Sequence, residues 1–207
     1  GESYTDTLIY SLTTGGHSDY LILDLDPDHS SGPVIDSILK ALNYNGSYTT
    51  TFDSTVFPNY SSIFVCTGIY SNNAHIDNTE GNALHNYLVN DSGRLYIEGG
   101  DVWYYDPSQG YYDFCPDFGI NATSDGNSDL ATIGGITGTF TAGMSFSYSG
   151  ENSWIDHIDP TGGGFVIFDN SSPAYNCGIA NDAGIYKTVG VSFEFGGLTD
   201  GSNNSTK

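Results

Sequence analysis

Carboxylates are the residues of this chain best placed to do chemistry. Asp24, Asp26 and Asp28 alternate in Asp24-Leu25-Asp26-Pro27-Asp28, which points their oxygens one way from the end of an apolar run. Glu98, Asp101 and Glu194 also follow apolar runs, and in open α/β sheets ligands bind outside the carboxyl ends of the strands. Such a hard-oxygen cluster suits Ca²⁺. Asp24, Asp26, Asp28, Glu98 and Asp101 are therefore candidate metal ligands, with calcium the one cofactor suggested. The first stretch is not an EF-hand, because His29 stands where that loop requires Gly and Ile35 where it requires an acid. The competing reading is that these acids cap helices and face water.

Other reactive side chains are sparse. His17, His29, His75, His85 and His157 are dispersed and show no HExxH or similar pairing. His157, between Asp156 and Asp159, reads as structural or exposed. Three cysteines form no CxxC and no zinc spacing. Cys66 ends the apolar run Ile63-Phe64-Val65-Cys66 and reads as a buried free thiol. Cys115 and Cys177 lie in loop-like surroundings, Phe114-Cys115-Pro116 and Asn176-Cys177-Gly178, and could pair in an oxidising compartment. Closing that loop would stabilise the fold by about 4 kcal/mol.

Seven Asn-x-Ser/Thr sequons, at Asn45, Asn59, Asn90, Asn121, Asn170, Asn203 and Asn204, are candidate glycosylation sites. Chance supplies about half as many in this composition, so the alternative is a set of loop turns. Trp103, Tyr104, Tyr105, Tyr111 and Tyr112 form an aromatic segment that suits a carbohydrate platform or a protein interface. The alternative is that they cover a sheet edge.

The elements that must position these groups change character along the chain. Tyr20-Leu21-Ile22-Leu23 reads as a buried parallel strand. Ser31-Gly32-Pro33 opens a helix whose Val34, Ile35, Ile38, Leu39 and Leu42 recur on one face. Further strands are expected over 48–52, 62–68 and 94–97, with a helix over 78–89 presenting Leu84, Tyr87 and Leu88 inward. Strands separated by such helices imply right-handed crossovers and a parallel sheet covered on both faces. From Val102 onward the chain is aromatic and glycine-rich with no convincing helix, and strands are expected over 138–141, 144–148, 164–168, 177–180 and 186–193. An extended segment over residues 1–18 could add an edge strand that pairs with a second copy or a neighbouring domain.

Composition narrows the partners. The 207 residues carry 4 Lys+Arg against 25 Asp+Glu, a formal net charge of -21. Four cations cannot neutralise a run of phosphates, which argues against nucleic acid. No run of about 18 apolar residues is present, so no membrane insertion is expected. Polarity comes from 24 Ser, 19 Thr and 17 Asn, and there are 27 Gly, the profile of an extracellular or cell-surface protein.

The order of segments resembles a known module. Tyr20-Leu21-Ile22-Leu23-Asp24-Leu25-Asp26, the helix end Ala41-Leu42-Asn43-Tyr44, Ser62-Ile63-Phe64-Val65-Cys66-Thr67-Gly68, Arg94-Leu95-Tyr96-Ile97-Glu98-Gly99-Gly100-Asp101 and Thr188-Val189-Gly190-Val191-Ser192-Phe193 are similar to the class I glutamine amidotransferase-like module of secreted bacterial multidomain proteins. The resemblance implies an α/β fold: a mostly parallel flavodoxin-like sheet with flanking helices and a β-rich, loop-rich second half. It implies a single domain over 19–207, lacking its closing C-terminal helix. An amidotransferase needs a Cys on the strand-to-helix turn, activated by a His. The turn here, Glu98-Gly99-Gly100-Asp101, contains no nucleophile.

The expectation is therefore a chain that is not an enzyme. It would be an extracellular structural or interaction module, self-associating into a fibre or surface layer or packing on neighbouring domains of a longer chain. Calcium or glycan binding is the first alternative, and a divergent hydrolase on the same fold the second.

Overall fold

A computed structural model describes residues 17–201. Most of the segment expected over 1–18, and the sequons at Asn203 and Asn204, lie outside the described residues. In chain order the first half comprises β1 (Tyr20–Asp24), α1 (Gly32–Ala41), β2 (Gly46–Thr49), β3 (Ser62–Cys66), α2 (Asn78–Asp91) and β4 (Arg94–Glu98). Two single-turn helices follow, α3 (Tyr105–Ser108) and α4 (Cys115–Phe118). The rest is β5 (Ile120–Ser124), β6 (Thr132–Gly135), β7 (Ser145–Tyr148), β8 (His157–Pro160), β9 (Gly164–Ser171), β10 (Ala174–Asp182), β11 (Lys187–Val191) and β12 (Leu198–Thr199).

Ten strands form one sheet in the order β12-β7-β6-β9-β10-β11-β4-β3-β1-β2, while β5 and β8 pair apart from it. The strands β2, β1, β3, β4 and β11 pair in parallel. Every pair beyond β11 is antiparallel. The protein is thus α/β with a mixed sheet, which corrects the expectation of a mostly parallel one. The cause is connection length: only Ser172 and Pro173 separate β9 from β10, whereas a parallel return needs a crossover of about a dozen residues.

The two faces carry separate cores. Leu21, Leu23, Ile63, Val65, Leu95 and Ile97 pack with Leu84, Tyr87 and Leu88 of α2 on one face. Tyr20, Ile22 and Phe64 pack with Ile35 and Leu39 of α1 on the other, where Tyr96 joins them to Ile133, Phe146, Phe168 and Phe193 of the second half. All five residues of β1 are buried, as a strand covered on both faces requires. The helix α2 starts at a capping box in which Asp77 accepts from the Thr79 and Glu80 N–H and Glu80 reaches back to Asp77, worth about 1 kcal/mol.

Several expectations are corrected. Leu42 is exposed, because α1 ends at Ala41 and leaves it beyond the last inward turn. Residues 138–141 form a turn rather than a strand, closed by the Thr139 hydroxyl donating to the Ile136 carbonyl and the Thr141 hydroxyl to that of Ile167. Cys115 and Cys177 are free thiols rather than a disulfide. Cys115 packs against the α2-side core and Cys177 lies within the core of the opposite face, so the sheet separates them. No helix among the described residues is long and apolar enough to cross a membrane.

Candidate functional site

The parallel strands point their carboxyl ends at one edge, and the loops leaving that edge converge. After β4 the chain turns through Glu98-Gly99-Gly100-Asp101. A Cβ on Gly99 would stand 1.9 Å from the Thr67 hydroxyl at the end of β3, so this close approach requires glycine. The Gly100 carbonyl then accepts from the Asp156 N–H at 2.9 Å. The Asp156 Oδ2 in turn accepts from the N–H groups of Trp103 at 3.0 Å and Tyr104 at 2.7 Å. Asp125 is brought alongside by Gly126, whose backbone lies against the Ile155 carbonyl.

The outcome is a triad of Asp101, Asp125 and Asp156, with one carboxylate oxygen of each within 4.8 Å of the others. Asp101 and Asp156 are buried. Asp101 Oδ2 accepts from the Asn73 amide at 3.0 Å, while Asp125 Oδ1 and Asp156 Oδ1 are buried without a hydrogen-bond partner. Burial pushes the Asp101 carboxyl up to about 7, with the charges of Asp106 and Asp125 adding to it. Burial pushes Asp156 up to about 8 against the pull of its two N–H bonds, and it raises Asp125 as well.

A cleft of about 280 Å³ opens over the triad, lined by Tyr70, Asp101, Tyr105, Asp125 and Trp154. Seven aromatic side chains are substantially exposed among the described residues, and three of them line this one cleft. Of the aromatic segment expected to form a platform, Tyr105 lines the cleft and Tyr104 is exposed beside it. Trp103 is corrected to a core residue: it is buried against Phe118 and its indole N–H donates to the Val191 carbonyl at 3.0 Å. Tyr111 stacks on His75, and Tyr112 packs against Phe114.

The remaining expected ligands form a separate network at the neighbouring strand ends. Asp24 is buried and its Oδ2 accepts from the Tyr48 hydroxyl at 2.6 Å and lies 3.0 Å from His29 Nδ1. Asp26 closes its own loop, accepting from the N–H groups of Asp28 and Ser30. Asp28 accepts from the Asn72 amide. Glu98 is buried, and its Oε2 accepts from the Tyr96 hydroxyl at 2.7 Å and the Phe195 N–H at 2.9 Å. The Ser30 hydroxyl bridges Asp26 and Glu194. One hydroxyl proton cannot serve two carboxylates, so this bridge favours a protonated partner, and burial pushes Glu194 up to about 7.

Of the expected metal ligands only Asp101 therefore joins the triad, which among the described residues is the one group of His, Cys, Asp and Glu close enough to share an ion. Asp125 and Asp156 were not singled out, since neither lies in a spacing pattern and tertiary turns gather them. The dispersed histidines also find partners, as His75 and His85 contact Asp106 and Asp117 some thirty residues away. The sequons at Asn45, Asn59, Asn90 and Asn121 are exposed. The sequon at Asn170 is corrected: its side chain is buried and bonded to the backbone of Asp129, Ala131, Thr132 and Pro173.

No family model matches the chain, and no curated protein matches it. Solved structures do share its fold. An exo-β-1,4-mannosidase from an Opitutaceae bacterium aligns with a TM-score of 0.58 at 10% identity, over 87% of this chain and 32% of its own. A glutamine amidotransferase from Thermotoga maritima aligns with a TM-score of 0.53 at 11% identity, over 87% of this chain and 77% of its own. A carbohydrate deacetylase aligns with a TM-score of 0.49 at 15% identity, over 84% of this chain and 29% of its own. The chain thus spans about a third of the mannosidase's length. The likenesses to the mannosidase and the amidotransferase point to an amidotransferase-like fold. They correct the expectation that the chain is not an enzyme: the scaffold is one on which enzymes are built, and a turn without a nucleophile does not exclude chemistry at a carboxyl triad beside it.

Proposed function

We propose that the chain is a carbohydrate-active domain that takes a sugar in the cleft bounded by Tyr70, Tyr105 and Trp154, above Asp101, Asp125 and Asp156. The observation that carries this reading is the concentration of three exposed aromatic rings around the Asp101 and Asp125 carboxyl groups in one concavity, with the buried Asp156 close behind them. Aromatic faces stack on the apolar faces of sugar rings, and carboxylates accept hydrogen bonds from sugar hydroxyls. The parallel strands, counted among themselves, run 2-1-3-4-5, which supports the flavodoxin-like arrangement, and ligands of that arrangement bind outside the carboxyl ends of its strands. The abundant hydroxyl and amide side chains support an extracellular or cell-surface setting.

The test is isothermal titration against a panel of neutral and acidic oligosaccharides. Carboxyl groups beside a bound sugar are also the groups through which most glycosidic bonds are cleaved, so the same mixtures are followed by chromatography for released product. Trp154→Ala and Tyr105→Ala are expected to weaken binding tenfold or more while leaving the melting temperature unchanged. Absence of binding across the panel, or binding that both variants leave intact, overturns the proposal.

A further inference from the structure

We propose that Asp101, Asp125 and Asp156 hold a divalent cation of the hard, oxygen-preferring class, calcium foremost. The inference deepens the carbohydrate reading, since it places the ion at the floor of that cleft, but the binding of the ion does not itself depend on a sugar. Calcium takes oxygen ligands at about 2.4 Å, so two ligands on one ion stand at most about 4.8 Å apart. The three carboxylate oxygens meet that limit without rearrangement.

Acidity alone would not carry this, because a chain with 25 acids has many acidic neighbourhoods. The independent observation is Asp156. Its side chain is fully buried, and Oδ2 is held by two backbone N–H groups, an arrangement suited to a charged carboxylate. Oδ1 has no partner, and neither has the buried Oδ1 of Asp125. A buried carboxylate oxygen without a partner is costly. Among the described residues no lysine or arginine relieves it: Lys40 and Lys187 pair with Asp36 and Asp182, and Arg94 begins β4, at the opposite edge of the sheet from the triad. A divalent ion held by one oxygen of each carboxylate offsets the mutual repulsion of the three acids and the cost of burying them. Its remaining positions face the cleft, where vicinal sugar hydroxyls can complete the shell, so the favoured ligand class is a sugar with adjacent hydroxyls.

The experiment uses the chain stripped with chelator and contains no sugar. Calorimetric titration and thermal melting are run with CaCl₂ and with MgCl₂, on the wild type, on Asp156→Asn and on the half-buried Asp125→Asn. The expected result is a wild-type midpoint raised by about 5 °C or more at saturating Ca²⁺, with a weaker Mg²⁺ response. Both variants should lose most of the shift. If Asp156→Asn fails to fold, Asp125→Asn alone decides. No heat and no shift with either ion overturns the proposal, and an equal shift in wild type and Asp125→Asn overturns it by placing the ion elsewhere. Sugar binding that persists in chelator without any Ca²⁺ response removes the ion and keeps the carbohydrate reading. A Ca²⁺ response without sugar binding does the reverse.

Discussion

Gly126 packs so closely on Ile155 that an added Cβ would stand 1.9 Å from the Ile155 carbonyl oxygen. Backbone, not a flexible side chain, occupies that space, so the loop carrying Asp125 and the segment carrying Asp156 meet only because position 126 has no side chain. Gly126→Ala is expected to lower stability by about 1–3 kcal/mol and to separate Asp125 from Asp156. Chemical denaturation reads the first effect, and titration with Ca²⁺ reads the second as a lost response.

The network around Glu98 and Glu194 sets a pH dependence. Burial raises both carboxyls from about 4.5 to about 7 in the folded chain. Between those values the folded state binds more protons than the unfolded one, so its stability falls as pH rises. Their contribution is fully present below pH 4.5 and is lost as pH rises through 7. Glu98→Gln keeps a neutral side chain at every pH and is expected to flatten the decline in melting temperature across that window. An unchanged slope in the variant would show that Glu98 does not carry it.

Asn170 ties four backbone groups together from the interior. Removing it strands buried donors and acceptors at about 1–3 kcal/mol each, so Asn170→Ala is expected to destabilise the chain by at least about 2 kcal/mol, measured by denaturant unfolding. In a glycosylating host, peptide mass spectrometry should find sugar at Asn45, Asn59, Asn90 or Asn121 and none at Asn170.

The thiols should be silent in the native chain. Cys66 and Cys177 are fully buried and their thiols are pushed well up by burial, while burial and Asp113 push Cys115 up to about 12. Thiolate is the reactive form. A thiol reagent is expected to titrate three groups per chain in denaturant and to react only slowly without it. A disulfide detected between Cys115 and Cys177 would contradict the separation of the two by the sheet.

The parallel half was legible because its signals are local. Tyr20 to Leu23 and Ile63 to Val65 are continuous apolar runs, and Ile35 and Leu39 repeat at helical spacing, so β1, β3 and α1 lie where those patterns place them. The antiparallel half was harder. Its β5, β6 and β8 are short and mix Thr, Asn and Gly with single buried residues such as Ile133 and Ile158. At the site, Asp101 was visible as an acid after a strand, but Asp125 and Asp156 owe their place to Gly126 and to the Gly100 carbonyl. No spacing records such contacts. The alternating acids of the Asp24 group do not converge on one point: Asp24 Oδ2 is engaged with Tyr48, Asp26 with Ser30 and Asp28 with Asn72.

Trp103 ties the loop after β4 at two points, its indole N–H to Val191 within the sheet and its backbone N–H to Asp156 in the adjoining segment. The cleft wall that presents Asp101 and Tyr105 is therefore anchored before any ligand arrives. A pre-organised wall spares an incoming molecule the entropic cost of ordering it. Association should accordingly leave the backbone here in place, with only the exposed rings of Tyr70, Tyr105 and Trp154 losing rotational freedom.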